Sequence, residues 1–183
     1  MGKIFVHEFV SLDGVFENPS WTADYGFTDE MGEAIGALTA ASSAILLGRK
    51  TYEMFAPAWS TRTVDDDPGV PFFNDTPKHV VSSTLRSADE WQNSSVLGGY
   101  DPQAIRRLKD ESTGIYISGS GTLVRALLAD GLVDELHLLM YPVVLGAGAE
   151  LFPAGAQRTP LQLAGHEAFD NGVLHLTYTP AGS

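Results

Sequence analysis

The sequence predicts an α/β fold in which a mostly parallel sheet is flanked by helices. Strand-like and helix-like segments alternate along most of the chain, as they do where helices join parallel strands. After Gly146 the alternation stops, and two β-rich runs flank Asp170-Asn171-Gly172, a turn signal of hairpins. We therefore expect the sheet to end in a C-terminal antiparallel hairpin. The chain has 183 residues, and we expect residues 1–183 to form one domain.

The first strands and helices follow from apolar patterns. Residues 3–10 form an apolar run typical of a first strand. Apolar residues then recur at helical spacing over 28–42, behind a Thr28 or Asp29 cap. The run 44–48 is short and apolar, so a second, buried strand is predicted there.

The rest of the chain continues the alternation. A helix is predicted to start at Arg49, and the polar, proline-bearing stretch 56–77 after it is expected to be a long surface loop. The remaining predicted strands are 80–83, 115–118, 134–144, 161–169 and 172–179. The remaining predicted helices are 101–112 and a segment that ends at Gly131.

Composition and charge exclude several classes of function. With 23 acidic and 11 basic residues, the chain lacks the field of Lys and Arg that nucleic acids and anionic membranes require. The sequence shows no signal-peptide pattern and no apolar run long enough to cross a membrane, so we expect a cytoplasmic protein. It contains no cysteine, and its five histidines show no metal-binding spacing, so we expect no metal site.

A turn of small residues, Gly119-Ser120-Gly121-Thr122, joins a predicted buried strand to a predicted helix. A helix start presents free backbone N–H groups and the positive end of the helix dipole, and small residues let a phosphate approach closely. Such turns also need glycine for backbone reasons alone. The turn is therefore a candidate anion site with a purely structural alternative.

Known loop motifs fit this turn incompletely. It lacks the lysine of a Walker A loop, and Val124 stands where a dinucleotide fingerprint has its third glycine. A serine hydrolase that uses Ser120 is an open alternative, because Asp134 and His166 follow in the order of a catalytic triad. That motif, however, needs a glycine where the chain has Ser118.

Two further strand ends carry residues suited to an anion. Arg49 and Lys50 follow Gly48 in the predicted first turn of a helix, where the dipole disfavours cations, so they should seek an anionic partner. The alternative is a solvated basic pair. Ser82-Ser83-Thr84 follows another predicted strand. Because parallel strands end at one edge of a sheet, these segments indicate one extended ligand across that edge.

The order of these segments resembles the dihydrofolate reductase fold family, and more closely the reductase domain of riboflavin biosynthesis and its small single-domain bacterial relatives. The segments that carry the resemblance are SLDG (11–14), LLGRKTYE (46–53), GSGTLVRALLADGLVDEL (119–136) and PVVLGAGAELFP (142–153). The resemblance covers nearly the whole chain. It implies a three-layer fold, an NADPH cofactor, often a homodimer, and reduction of a small heterocyclic, pyrimidine- or pterin-like substrate.

The resemblance also implies which residues bind NADPH. Two segments would meet the diphosphate, one at the start of each predicted helix, and a third would line the adenosine phosphate. The implied cofactor residues are Gly48, Arg49, Lys50, Thr51, Ser82, Ser83, Thr84, Gly119, Ser120, Gly121, Thr122 and Leu123.

The substrate end is predicted from fewer residues. The segment containing Asp13 would border the nicotinamide. Asp29, with Glu33 one turn later, is the candidate proton source, since hydride addition to a C=N bond needs a nearby acid. The alternative is that both are only cap and first-turn charges of the helix. His7 and Glu8 point to opposite faces of the first strand, so at most one enters the pocket. His7 is the substrate-binding candidate, and the alternative is a buried histidine with its hydrogen bonds satisfied inside the core. Phe55 is a candidate wall for a flat ring. A nucleotide- or pterin-binding protein without turnover is the alternative reading.

Overall fold

A computed structural model of the chain describes residues 1–182 and contains one eight-stranded sheet. The strand order across the sheet is β4-β3-β2-β5-β1-β6-β8-β7. The pairs among β1 to β6 are parallel, and β8 pairs antiparallel with both β6 and β7. The strands are β1 Lys3–Ser11, β2 Ala44–Gly48, β3 Lys78–Val81, β4 Ser94–Gly98, β5 Gly114–Ile117, β6 Glu135–Tyr141, β7 Leu161–Ala168 and β8 Leu174–Pro180.

Helices cover both faces of the sheet and make it the middle of three layers. They are α1 Asp29–Ala40, α2 Arg49–Trp59, α3 Val70–Asp75, α4 Pro102–Glu111 and α5 Gly121–Ala129, with a 3-10 helix at Pro19–Tyr25. Val6 and Val10 of β1 pack with α4 and α5 on one face. Phe5 and Phe9 pack on the other face, where α1, α2 and α3 lie. The predicted α/β, dihydrofolate reductase-like fold with its C-terminal hairpin is confirmed.

The structure corrects the prediction between residues 56 and 98. Helix α2 continues past Pro57 to Trp59, and the predicted loop contains the short helix α3. Strand β4 was not predicted, because its sequence SSVLG is short, partly polar and only half-buried at the sheet edge. The α1 cap is Thr28, whose side chain accepts a hydrogen bond from the Met31 N–H.

Lys78 is a buried cation at the start of β3 that holds the end of α3. Its ammonium donates to the carbonyl oxygens of Phe73 (2.8 Å), Asn74 (3.2 Å) and Thr76 (2.9 Å). It also lies 4.6 Å from the ring centroid of Trp91. Burial lowers the pKa of Lys78 to about 8, so the side chain still carries its proton at neutral pH. The helix end therefore has its carbonyl groups satisfied by a side chain.

Strands β1, β2, β3 and β5 run in the same direction, so the loops that follow them gather at one edge of the sheet. The helices α2 and α5 begin at this edge, directly after β2 and shortly after β5. Within residues 1–182, every helix falls short of the length and apolar character needed to span a membrane.

Candidate active site

A cleft of about 1240 Å³ lies at the carboxyl ends of the parallel strands. It is larger than most small-molecule pockets, which occupy roughly 300 to 1000 Å³. Four parts of the chain form most of its walls: the end of β1 with the loop after it, helix α2 with the residues just beyond it, the turn between β5 and α5 with the start of α5, and the segment 148–154 after β6. The space is sufficient for a dinucleotide with a second small molecule.

The turn after β5 packs tightly against the start of α2. Gly119 has φ +87°, and a Cβ atom there would lie 2.6 Å from the Thr51 Oγ1. A Cβ atom on Gly48 would collide with the Ser120 side chain. The peptide bond between Gly119 and Ser120 is cis. Only glycine at 48 and 119 allows the two loops to approach this closely, and both loops face the cleft.

The start of α5 is open toward the cleft. Its first internal hydrogen bond runs from the Val124 N–H to the Ser120 carbonyl oxygen, so the amide groups of Gly121, Thr122 and Leu123 precede the helical ladder. Thr122 is exposed and lines the cleft, whereas the Leu123 side chain lies in the core. Leu123 can therefore contribute only its backbone N–H, and the three amides lie together at the open end of the helix.

Arg49 connects two of the predicted cofactor segments. Its Nη1 donates to the Thr84 Oγ1 at 2.8 Å, across 35 positions of sequence, and its Nε donates to the Glu53 carboxylate at 2.7 Å. Lys50 and Thr51 also line the cleft. The structure thus brings Arg49 and Lys50 to the cleft. The Glu53 carboxylate, which is paired with Arg49, would compete with an anionic ligand for that side chain.

Ser82 to Thr84 lie beside the cleft, next to Val81, which lines it. Ser82 is buried, and its Oγ accepts hydrogen bonds from the Thr84 and Leu85 amides at 3.2 and 3.0 Å. This oxygen is used to form the turn. Ser83 and Thr84 are exposed and stand where a ligand held by Arg49 would extend.

Two arginines that were not predicted from the sequence also line the cleft. Arg125 donates from Nη1 to the Leu151 carbonyl oxygen at 2.8 Å. Arg62 lies over the Trp59 ring, 4.9 Å from its centroid. Arg125 could have been predicted from its position four residues after Gly121, because residues at this spacing lie on the same face of a helix. Arg62 follows the end of α2, which the sequence analysis placed in a loop.

Glu8 is the acidic residue of β1 that lines the cleft, and it is only 5% exposed. Its Oε1 is buried and has no hydrogen-bond partner among residues 1–182. Burial raises the pKa of Glu8 to about 8, and the nearby Gly119 backbone opposes the shift. The folded protein therefore holds a protonated carboxyl group beside the cleft at neutral pH.

His7, the sequence candidate for substrate binding, lies on the opposite face of β1. It is buried, with its Nδ1 3.0 Å from the Tyr116 Oη. Burial, followed by the nearby His137 and His175, lowers the pKa of His7 to about 3. The prediction that His7 and Glu8 point to opposite faces holds, and it is Glu8 that lines the cleft. Glu8 could have been selected from the sequence, because it is the one carboxylate on the strand face that also carries the apolar Val6 and Val10.

The other substrate-end candidates occupy different places. Asp13 accepts hydrogen bonds from the Ser11 hydroxyl (2.6 Å) and from the Leu145 (3.2 Å) and Gly146 (2.8 Å) amides, so it ties two loops together. These bonds, the Ser11 bond first, lower the pKa of Asp13 to about 2. Phe55 lines the cleft.

Asp29 is exposed in the first turn of α1 and is absent from the lining of the cleft. At the start of a helix, a carboxylate stabilises the helix through its favourable interaction with the helix dipole. Within residues 1–182, no three His, Asp or Glu side chains are grouped to bind one metal ion.

The serine hydrolase alternative is wrong, because the structure separates its three residues. Asp134 forms an ion pair with Lys109 (2.6 Å) and accepts a hydrogen bond from the Ile4 amide at the amino end of β1. Ser120 lies at the opposite edge of the sheet. His166 is on β7, four strand positions from β5 and therefore roughly 19 Å away.

Comparisons with known proteins agree with this architecture. The uncharacterized protein YyaP of Bacillus subtilis (strain 168) is 27% identical over 190 residues, which covers 96% of this chain and 94% of YyaP. A putative riboflavin biosynthesis protein from Shewanella sp. PV-4 has a similar structure, with a TM-score of 0.77, 20% identity, and coverage of 98% of this chain and 99% of that chain.

A second similar structure is a diaminohydroxyphosphoribosylaminopyrimidine deaminase/5-amino-6-(5-phosphoribosylamino)uracil reductase from Thermotoga maritima. Its TM-score is 0.67 at 14% identity, and the match covers 98% of this chain and 57% of that longer chain. At such identities the two structural matches establish the fold alone. The family model described as RibD C-terminal domain matches residues 2–175. The chain therefore belongs to the RibD C-terminal domain family.

Proposed function

We propose that the protein is an NADPH-dependent reductase of a small heterocyclic substrate, pyrimidine- or pterin-like. The observation that carries the proposal is the meeting of Arg49, Lys50 and the open start of α5 at one cleft. In a chain of net charge −12, cations are concentrated at this cleft, and a phosphorylated ligand accounts for them. Membership of the RibD C-terminal domain family and the reductase activity named for the Thermotoga relative support the reaction type.

The residues at the cleft fit NADPH. Gly48, Gly119 and Gly121 let the walls of the cleft pack closely against each other: a Cβ atom on Gly121 would lie 2.5 Å from the Phe16 ring. The amides at the start of α5 would hold the diphosphate. Arg49 with Thr84 would hold the adenosine 2′-phosphate, which NADH lacks. When bound there, NADPH would supply a hydride to the substrate.

The protein's own contribution is alignment and electrostatics. The backbone amides and cations fix the cofactor, and the apolar rings of Phe9, Phe16, Phe55 and Trp59 line the rest of the cleft and suit a flat heterocycle. The bond reduced would be a C=N or related bond. The homodimer implied by the resemblance stays a prediction, supported by the exposure of Leu163 and Leu174 on the terminal hairpin.

The activity itself can be tested with defined acceptors. We expect the protein to oxidise NADPH when 5-amino-6-(5-phosphoribosylamino)uracil or a dihydropterin is added, followed by the loss of NADPH absorbance. NADPH binding without oxidation by any acceptor of the panel would favour the non-catalytic binding protein. Absence of NADPH binding in calorimetry would reject the proposal.

Arg49→Ala should weaken NADPH binding by roughly 5- to 30-fold, about 1 to 2 kcal/mol, because an exposed but charge-assisted phosphate contact is lost. NADH affinity should change little. Glu53→Gln is the matched variant: it removes the competitor of Arg49 and should strengthen NADPH binding. Calorimetric titration of both variants with both cofactors measures these effects. Equal losses for NADPH and NADH would show that Arg49 does not read the 2′-phosphate.

A further inference from the structure

The order of strands indicates the direction in which a dinucleotide would extend along the cleft. Across the sheet, β3, β2, β5 and β1 are successive neighbours. Arg49 and Thr84 lie at the ends of β2 and β3, and the open start of α5 follows β5. A dinucleotide with its 2′-phosphate at Arg49 and its diphosphate at α5 therefore extends toward β1. Its nicotinamide end would reach the side of the cleft that Glu8 lines.

Glu8 occupies that side as an isolated acid. Its Oε1 lies 3.7 Å from the position of a Cβ atom on Gly119, so the carboxyl group adjoins the phosphate-binding turn. The side chain forms no ion pair among residues 1–182. Tyr116 of β5 is the titratable neighbour on which its charge acts. The charged groups elsewhere on the cleft walls are Glu17, Arg49, Lys50, Arg62, Arg125 and Glu150.

We propose that Glu8 is the catalytic acid, the residue that donates a proton to the substrate nitrogen during reduction. This inference rests on the proposed function. Bound NADPH would supply the hydride that forms the new C–H bond, and would itself become NADP⁺. The π bond of the C=N group would break, and its electron pair would pass to the nitrogen. The O–H bond of Glu8 breaks, its proton forms the new N–H bond, and the Glu8 carboxylate takes a proton from solvent before the next cycle.

The geometry favours Glu8 over the acids that the sequence suggested. Asp29 lies outside the cleft, and Asp13 is held as an acceptor by three donors, with a pKa of about 2. Glu8 combines burial, an unpartnered oxygen and a proton at neutral pH, which are the properties of a general acid. A carboxyl group in an apolar site that stays protonated can donate where an ordinary carboxylate cannot.

Proton release on cofactor binding tests the proposal without any substrate. The nicotinamide ring is positive in NADP⁺ and neutral in NADPH, whereas the phosphates of the two are the same. If Glu8 adjoins the ring, NADP⁺ should favour its carboxylate and release about half a proton or more at pH about 7.5, relative to NADPH. Calorimetric titrations in buffers of different ionisation enthalpy measure this difference.

Glu8→Gln should abolish the difference between the cofactors, and Glu8→Asp should retain it in part. Glu111→Gln, on the exposed face of α4 and away from the cleft, is the control that should keep it. With an accepted substrate, Glu8→Gln should also slow hydride transfer by roughly 100-fold or more at unchanged NADPH affinity. Equal proton release in wild type and Glu8→Gln would overturn the proposal and leave the reductase function standing. Failure to bind either cofactor would reject the reductase function itself.

The free protein gives an independent readout. The pKa of Glu8 is raised from 4.5 to about 8, so the folded state binds more protons than the unfolded state between these values. The free energy of unfolding of the wild type should therefore fall as pH rises through this range, relative to Glu8→Gln. Urea unfolding at several pH values measures it. Parallel pH profiles would show that Glu8 carries no proton at neutral pH and would overturn its role as the acid.

Discussion

Thr122→Asp should weaken NADPH binding by roughly 100-fold, about 3 kcal/mol, because it places a carboxylate where the cofactor diphosphate would lie. The substitution should not lower the stability of the fold. Thr122 is exposed in the first turn of α5, where a negative charge stabilises the helix dipole, and the new carboxylate could pair with Arg125. Calorimetric titration with NADPH and thermal unfolding of the same sample measure both effects.

Thr122→Asn is the control for this substitution, because it has the same shape without the charge. It should bind NADPH within a few-fold of wild type. Unchanged NADPH affinity in Thr122→Asp, with a Tm equal to or above that of wild type, would remove the start of α5 from the cofactor site. This substitution is preferable to a change at Gly121, where a side chain would press on Phe16 and confuse repulsion with misfolding.

Lys78→Met should lower the free energy of unfolding by roughly 3 kcal/mol, because the three carbonyl oxygens at the end of α3 lose a charged donor. The contact of the ammonium with the Trp91 ring is lost as well. Urea unfolding at neutral pH measures the change. Lys3→Met is the control: Lys3 is exposed and pairs with Glu135 at the surface, so its loss should lower the free energy of unfolding far less than the loss of Lys78. Equal stability of Lys78→Met and wild type would show that water or neighbouring amides replace the lysine.

The strands that could be predicted from the sequence are those with strong local signals. The run 44–48 is wholly apolar and forms β2, which is buried along its entire length. The turn Asp170-Asn171-Gly172 joins β7 to β8 as expected, with Gly172 at φ +85°. In these places the local pattern and the tertiary environment favour the same structure, so either alone indicates it.

The segments that could not be predicted depend on tertiary contacts. Strand β4 is stabilised by pairing with β3, which a half-polar sequence does not reveal. Helix α3 has only six residues and is fastened by Lys78 and by packing of Phe73 in the core. Pro57 lies in the stretch that was predicted as a loop, yet α2 runs two residues beyond it, with Ala56 buried in the core.

The candidate site was only partly accessible to sequence reasoning. The segments that begin at Gly48 and Gly119 could be recognised as candidate binding segments, because the backbone can approach a ligand closely only where residues are small. The alternation of β1 placed His7 and Glu8 on opposite faces but could not tell which face the cleft would use. That choice depends on where α5 crosses the sheet, a contact between residues more than 100 positions apart.

The central position of β1 has a consequence for how the chain folds. Its partners, β5 and β6, lie at residues 114–141, so the apolar segment Lys3–Ser11 stays unpaired until most of the chain has been synthesised. Contacts of such sequence separation slow folding, because the entropy of closing a long loop is lost before any pairing compensates for it. A nascent chain therefore exposes an aggregation-prone segment for much of its synthesis. Binding by a chaperone that shields Lys3–Ser11 would be of most use during that interval.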